Sequence, residues 1–144
     1  MGTLPEEGRA RIRASAMWLI AAVVAVGFGV AAYAAFLGFP VSTQTTVTAA
    51  AVINDGHGLL VRYQVGSSSC QVPGEVTVTE TEDTVTLVGS AVDPTGTRVV
   101  NKGCTDDLYS VVGTVWLEEP LADRTVRDAD GTEIELTDPA EVLG

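Results

Sequence analysis

The residues of this chain that could do chemistry are few and widely spaced. The single histidine, His57, lies in the glycine-rich stretch NDGHG, two residues after Asp55. A catalytic base needs a nucleophile and an orienting group close by in space, and no GxSxG elbow or similar nucleophile motif accompanies it. We therefore interpret His57 as a turn residue.

The carboxylate pairs are badly arranged for acid–base catalysis. Glu118-Glu119 and Asp106-Asp107 are adjacent in sequence, so on a strand the members of each pair point to opposite faces. The sequence also contains no HExxH motif, no glycine-rich phosphate loop and no cofactor fingerprint. We expect no enzyme, no catalytic residue and no cofactor.

A metal site has only weak support, from Asp128, Asp130 and Glu133 in the stretch DADGTE. In an EF-hand alignment the first and twelfth ligand positions fall on Val126 and Thr137, and neither is a carboxylate. We expect a hairpin turn and no metal here, although the three carboxylates leave a weaker surface calcium site open.

Cys70 and Cys104 are the only cysteines. Two sulfurs and one distant histidine cannot complete a four-ligand zinc site. An even pair in an exported domain predicts a disulfide, because the cytosol would keep the thiols reduced.

The longest irregular stretch, DPTGTRVVNKGCTDD (Asp93–Asp107), includes the second cysteine. Loops of β-sandwiches commonly carry binding residues. The stretch is therefore a candidate binding loop, and a connecting loop without a partner is the alternative. The candidate residues carry charges of both signs: Arg98, Lys102, Asp106 and Asp107.

Short strands would position these residues. Valine and threonine dominate the chain after residue 45, and β-branched residues alternate with others at many points, which is typical of strands. Turn clusters separate pairs of such segments and predict three hairpins. The first pairs Thr46–Ile53 with Leu59–Val65, the second pairs Glu75–Thr81 with Thr84–Val92, and the third lies in Arg124–Leu136, turning at Asp130-Gly131.

The side-chain pattern predicts an all-β fold, an antiparallel β-sandwich of six or seven short strands over residues 46–137, with a C-terminal tail at 138–144. In the second hairpin Val76, Val78, Val85 and Leu87 would face inward. The apolar strand Ser110–Leu117 carries Trp116, which we interpret as a core residue rather than a sugar-stacking platform.

An uncharged stretch containing MWLIAAVVAVGFGVAAYAAF precedes this domain. It predicts one transmembrane helix at 16–39, between a cytoplasmic tail at 1–15 and a short linker at 40–45. Pro40 would end the helix. A signal peptide cleaved after Ala34 is the alternative, because Ala32-Tyr33-Ala34 has small residues at both key positions.

Charge orients the predicted helix. Arg9, Arg11 and Arg13 precede it, which favours a cytoplasmic N-terminus and an extracytoplasmic domain at the cell membrane. Five basic and seventeen acidic residues follow Pro40, which is unfavourable for nucleic acid. The partners we expect are the bilayer and a membrane protein that contacts the β domain or the helix. On the helix, a ridge of small residues would allow close packing: Ala21, Ala25 and Gly29.

The run from Cys70 to Gly131 resembles small exported domains of high-GC Gram-positive bacteria, which are membrane-anchored proteins or lipoproteins without an assigned function. The resemblance rests on VTVTET between the cysteines and on VWLEEPLADRTVRDADG after them. It implies a disulfide between the cysteines and a β-sheet domain, and it implies no activity.

These observations predict a single-pass membrane protein with a disulfide-bonded extracytoplasmic β domain. Its expected role is non-enzymatic, as an interaction, accessory or structural component of an envelope complex. The alternative is a module that binds a small ligand, an ion or a cell-wall polymer, released if the N-terminal segment is cleaved.

Overall fold

The computed structural model of the protein describes residues 6–144. A long helix is followed by two β-sheets that contain eight strands, more than the predicted six or seven. Most of the strand pairs are antiparallel, as predicted, and one is parallel. The chain is therefore mostly β after its N-terminal helix.

The N-terminal helix, α1 (Glu6–Phe36), is longer than the predicted apolar segment. From Gly8 to Phe36 it is long and apolar enough to cross a membrane, with a mean hydropathy of 2.3 over its most apolar window and none of that window buried. A signal sequence has the same properties. The helix includes much of the predicted tail, of which residues 1–5 lie outside the described part of the chain.

The strands fall into two sheets. The five-stranded sheet contains β1 (Val41–Thr45), β4 (Val72–Pro73), β5 (Thr77–Glu80), β6 (Thr84–Asp93) and β8 (Thr125–Arg127). The three-stranded sheet contains β2 (Val47–Ile53), β3 (Gly58–Gly66) and β7 (Leu108–Trp116), in the order β2-β3-β7.

Strand β6 organises the larger sheet because it has partners on both sides. Val92 pairs with both Ser42 of β1 and Val72 of β4, so these two strands flank it. The segment predicted as a linker at 40–45 therefore forms β1 instead. Its alternating β-branched residues suit a strand, and the second half of β6 provides the partner that the local sequence did not reveal.

Two of the three predicted hairpins are confirmed, β2–β3 and β5–β6. The third is present only as a turn. Residues 125–127 pair in parallel with β6, and the returning chain makes one bridge, Arg127 to Glu133. It then reaches β2, where Leu136 bridges Ala50. The two arms of the predicted hairpin separate because one pairs with β6 and the other contacts β2, and both of these strands are longer.

The core takes side chains from both sheets. Four of the fully buried side chains are Val61 and Val65 of β3 and Val85 and Leu87 of β6. Val76 and Val78 are partly buried and pack against them. Each fully buried aliphatic side chain stabilises the fold by about 1.5–3 kcal/mol.

The predicted C-terminal tail is instead a short helix, α2 (Pro139–Leu143). Asp138 caps it by accepting a hydrogen bond from the Ala140 amide at 2.9 Å, and Pro139 occupies the first turn. Val142 is fully buried, and Arg62 of β3 donates to the carbonyls of Glu141 and Val142. These contacts close the free edge of β2.

Trp116 is not a core residue, contrary to the prediction. Its neighbour Val115 faces the core, so the alternation along β7 turns Trp116 outward, and 64% of its surface is exposed. The ring lies beside Gly58, where an added Cβ would stand 3.3 Å from it.

Candidate functional site: the junction loop and the free edge of β7

The Asp93–Asp107 stretch, called the junction loop below, is bonded to the end of α1. The Thr97 hydroxyl donates to the Ala34 carbonyl at 3.2 Å, and the amides of Val99 and Val100 donate to the Ala35 carbonyl at 3.1 and 3.2 Å. The last carbonyls of a helix lack partners within the helix. The loop supplies them, so the helix end belongs to the folded structure of the domain.

Gly38, rather than Pro40, ends the helix. It has a φ of +87°, and its amide and that of Leu37 both donate to the Tyr33 carbonyl. This is the left-handed cap that glycine favours. A Cβ on Gly38 would meet the backbone oxygen of Thr95 at 2.7 Å, so glycine also permits the close approach of the junction loop.

Most of the predicted binding residues use their polar groups within the fold. The ammonium of Lys102 contacts the Asp93 carboxylate at 2.6 Å, and this hydrogen bond is the main cause that lowers the pKa of Asp93. Arg98 donates to the carbonyls of Val100 and Asn101. These contacts brace the loop, which explains why charges of both signs are concentrated there.

The two other candidates, Asp106 and Asp107, lie at the end of the loop. The carboxylate of Asp107 accepts a hydrogen bond from the Ser68 amide at 3.1 Å, and hydrogen bonds from Thr105 and Ser68 lower its pKa. The side chain of Asp106 is exposed. Ligand binding by these four charged residues stays a prediction.

The predicted disulfide between Cys70 and Cys104 is confirmed, with the two Cα atoms 5.5 Å apart. It joins the end of the junction loop to the connection after β3. The Ser69 hydroxyl adds a hydrogen bond from the Thr105 amide at 2.9 Å. The loop is therefore fixed at both ends, by the disulfide on one side and by the helix on the other.

Apolar side chains surround the point where the helix meets the domain. Val99, at the tip of the junction loop, is 77% exposed, and Leu37, Phe39 and Val41 are also exposed. The rings of Tyr33 and Phe39 pack against each other at a tilt of 39°, with their centroids 5.0 Å apart. These apolar groups form a solvent-exposed collar around the junction of helix and domain.

The turn residues singled out for chemistry have structural contacts. The His57 amide donates to the Asn54 carbonyl, and the His57 carbonyl accepts from the Leu117 amide. The carboxylate of Asp128 is buried and accepts from the amides of Asp130 and Thr132, at 3.0 and 2.9 Å. Within residues 6–144, no group of three or more acidic, histidine or cysteine side chains is placed to hold a metal ion.

An ion pair that sequence reasoning missed connects β5 to the segment after β7. Arg124 contacts the Glu80 carboxylate at 2.8 Å, and both side chains are largely buried. Arg124 also donates to the carbonyls of Glu119 and Pro120, while the other Glu80 oxygen accepts from the Glu118 amide at 2.8 Å. The pair ties β5 to the connection between β7 and β8, and only the folded structure brings these two residues together.

The outer edge of β7 lies beside an open groove of about 470 Å³. The groove runs between the edges of the two sheets, from Gly74–Val76 and Val78 on one side to Gly113–Trp116 on the other. In the described part of the chain β7 pairs with β3 alone. This edge is therefore a second surface, apart from the junction loop, that is open to a partner.

The predicted helix-packing ridge of Ala21, Ala25 and Gly29 lies on the exposed surface of α1. An added Cβ on Gly29 would meet no atom within 4 Å. Packing of this ridge against another helix stays a prediction.

Comparison with known protein families, curated proteins and solved structures finds no match. The resemblance to small exported bacterial domains stays a prediction.

Proposed function

We propose that the protein is a single-pass membrane protein that keeps α1 as its anchor, with the N-terminus in the cytoplasm and a disulfide-bonded β-sandwich outside the cell membrane. The domain acts without catalysis, as an interaction or accessory component of an envelope complex. The observation that carries the anchor is the bonding of the junction loop to the carbonyls of Ala34 and Ala35.

Cleavage after Ala34 is unfavourable for this arrangement. It would remove the Tyr33 carbonyl, which accepts from the amides of Leu37 and Gly38, and the Ala34 carbonyl, which accepts from the Thr97 hydroxyl. It would also turn Ala35 into a charged N-terminus beside Val99 and leave exposed apolar residues at the start of the mature chain. A retained helix keeps these backbone groups and the Thr97 hydroxyl hydrogen-bonded.

The charge distribution supports the orientation. The arginines at positions 9, 11 and 13 precede the most apolar part of α1, and the domain carries a large excess of acid. Positive charge is retained on the cytoplasmic side of spanning helices. The disulfide supports the same side for the domain, because such bonds persist in oxidising compartments.

An exposed aromatic side chain and an unpaired strand edge support the interaction role. Trp116 is largely exposed beside a groove, and β7 has one unpaired edge. Aromatic residues at the surface are enriched where proteins bind one another.

The intact mass of the protein from a membrane fraction tests the anchor. We expect a chain that includes α1, with two hydrogens lost to the disulfide. A mass that begins at Ala35 would refute the retained anchor.

Labelling of intact cells with a membrane-impermeant maleimide tests the orientation. The variants Ala10→Cys and Asp123→Cys form a matched pair, because both positions are exposed and the native cysteines are bonded to each other. We expect label on Asp123→Cys only. Label on Ala10→Cys alone would place the domain in the cytoplasm.

Co-purification in mild detergent tests the accessory role. We expect at least one protein to be retained stoichiometrically with the full chain. Recovery of a lone monomer under several detergents and salt concentrations would contradict the role while leaving the anchor intact.

A further inference from the structure

The backbone groups of β7 alternate between its partner strand and the open side. The Ser67 amide donates to the Asp107 carbonyl and the Leu117 amide donates to the His57 carbonyl, and these bonds continue the β3–β7 register. Along an antiparallel pair, residues that are hydrogen-bonded to the partner strand alternate with residues whose amides and carbonyls point away from it. The odd-numbered residues of β7 therefore face β3, while five residues direct their amides and carbonyls outward: Leu108, Ser110, Val112, Thr114 and Trp116.

This edge lacks the features that usually prevent strand addition. Natural sheets protect edges with proline, lysine, bulges, short strands or a covering segment. Strand β7 is nine residues long, has no charged residue or proline, and pairs with β3 without a register shift. The opposite edge of the same sheet is covered, because the Thr137 amide donates to the Ala50 carbonyl and α2 packs there.

The groove beside β7 has room for the side chains of an added strand. The two sheets are joined at its ends, where the Glu118 amide contacts Glu80 and the Tyr109 hydroxyl donates to the Gln71 carbonyl at 3.2 Å. Between these points the groove floor includes Val78 and Gly113. Trp116 lies along its margin with most of its ring exposed.

The charges around the edge specify what can bind there. Asp106-Asp107 precede β7, Glu118-Glu119 follow it, and Glu75 lines the groove. No lysine or arginine lies between residues 103 and 123. A second copy added antiparallel would bring the two acidic pairs together, which like-charge repulsion opposes. A basic segment would be attracted.

We propose that the outer edge of β7 binds an extended, lysine- or arginine-containing segment of a partner protein, which adds to the sheet as a fourth strand. This inference rests on the proposed interaction role and names its partner class. Backbone hydrogen bonds supply the affinity, as in other cases of strand addition, and the groove and the acidic pairs select the sequence.

The test uses the full chain in detergent micelles and a fluorescent peptide, KTVTVTVTK, with binding followed by anisotropy. Two matched probes separate the contribution of backbone hydrogen bonds from that of charge. One is N-methylated on its inner amides, and the other has glutamate in place of lysine. We expect saturable binding of the basic probe and about tenfold or more weaker binding of the other two. Equal binding of all three probes, or no binding, would overturn the proposal.

The variant Thr114→Pro removes an outward amide and leaves the β3–β7 bonds in place, and Thr114→Ala is its matched control. We expect the proline variant to bind the basic probe about three- to tenfold more weakly than the alanine variant does, because alanine changes the side chain and keeps the outward amide. If the proline variant unfolds, the double variant Glu118→Gln/Glu119→Gln takes its place. It should weaken binding and reduce its salt dependence.

Two other outcomes would contradict the proposal in different ways. A concentration-dependent dimer that Thr114→Pro abolishes would make a second copy the occupant and overturn the basic partner. If no probe binds while a partner protein still co-purifies, strand addition at β7 is refuted and the interaction role is not. Failure of the anchor would appear in the intact mass, which does not depend on the probes.

Discussion

Gly38 is the single residue on which the junction between helix and domain most depends. Its φ of +87° is unfavourable for other residues, and the backbone of Thr95 occupies the space of a side chain. We predict that Gly38→Ala lowers the free energy of unfolding by about 1–3 kcal/mol. Urea denaturation of the full chain in micelles measures this.

Gly103→Ala is the matched control for Gly38→Ala, because an added Cβ there meets nothing within 4 Å. Equal denaturation midpoints for the two variants would contradict the assigned role of Gly38.

The ion pair of Glu80 with Arg124 predicts a loss of stability in acid. Partial burial raises the pKa of Glu80, but hydrogen bonds from the Glu118 amide and Arg124 outweigh it, so the net pKa is lowered. The hydrogen bond from Lys102 likewise lowers the pKa of Asp93. Protonation of either carboxyl therefore favours the unfolded chain.

The stability from these two carboxylates is complete above the unfolded-state pKa values, 4.5 for Glu80 and 3.8 for Asp93, and is lost as the pH falls through the lower folded-state values. We predict that Glu80→Gln costs about 0.5–1.5 kcal/mol at neutral pH and flattens the acid decline. Melting temperatures from about pH 6 to about pH 3 measure this, with Glu82→Gln as control. An unchanged pH profile for Glu80→Gln would contradict it.

At the scale of elements, α2 is the segment whose contribution is easiest to test. Val142 is fully buried, whereas the adjacent Leu143 is 65% exposed. We predict that Val142→Ala lowers the free energy of unfolding by about 2 kcal/mol and that Leu143→Ala changes it by less than about 0.5 kcal/mol. Chemical denaturation compares the two variants, and equal effects would show that α2 does not dock on the sheet.

The strands illustrate which elements local patterns specify. The hairpins β2–β3 and β5–β6 were predictable because a turn cluster and alternating apolar residues lie within one short stretch. The sequence also contained the signal for α2, an aspartate followed by proline, although the segment was predicted to be a tail. Strand β1 has alternating β-branched residues but no turn cluster and partner strand within the same short stretch, since its partner β6 lies far along the chain.

At the scale of the whole molecule, the bonds between α1 and the junction loop fix the domain close to the end of the helix. Thr97 and Ala34 are separated by 63 residues in sequence, and β1 begins five residues after the helix ends. If α1 is retained as the proposed anchor, this rigid connection holds the β7 edge at a constant distance from the membrane, whereas a flexible linker would not.

Insertion of a glycine-serine segment between Phe39 and Pro40 tests this rigidity. We predict a narrow distance distribution between spin labels at Ala31→Cys and Asp123→Cys in the native chain, and a broad one after insertion, because the added residues let the loop separate from the helix. A broad distribution in the native chain would contradict a fixed domain.

Composition and short-range pattern were enough to predict the apolar helix, the acidic mostly-β domain, the disulfide pair and two hairpins, since hydropathy, charge and turn chemistry act locally. Three features became visible only in the folded chain: Trp116 faces outward, residues 41–45 form a strand, and the junction loop caps the helix. These features depend on backbone hydrogen bonds and packing between residues far apart in the chain, and local propensity carries no information about such partners.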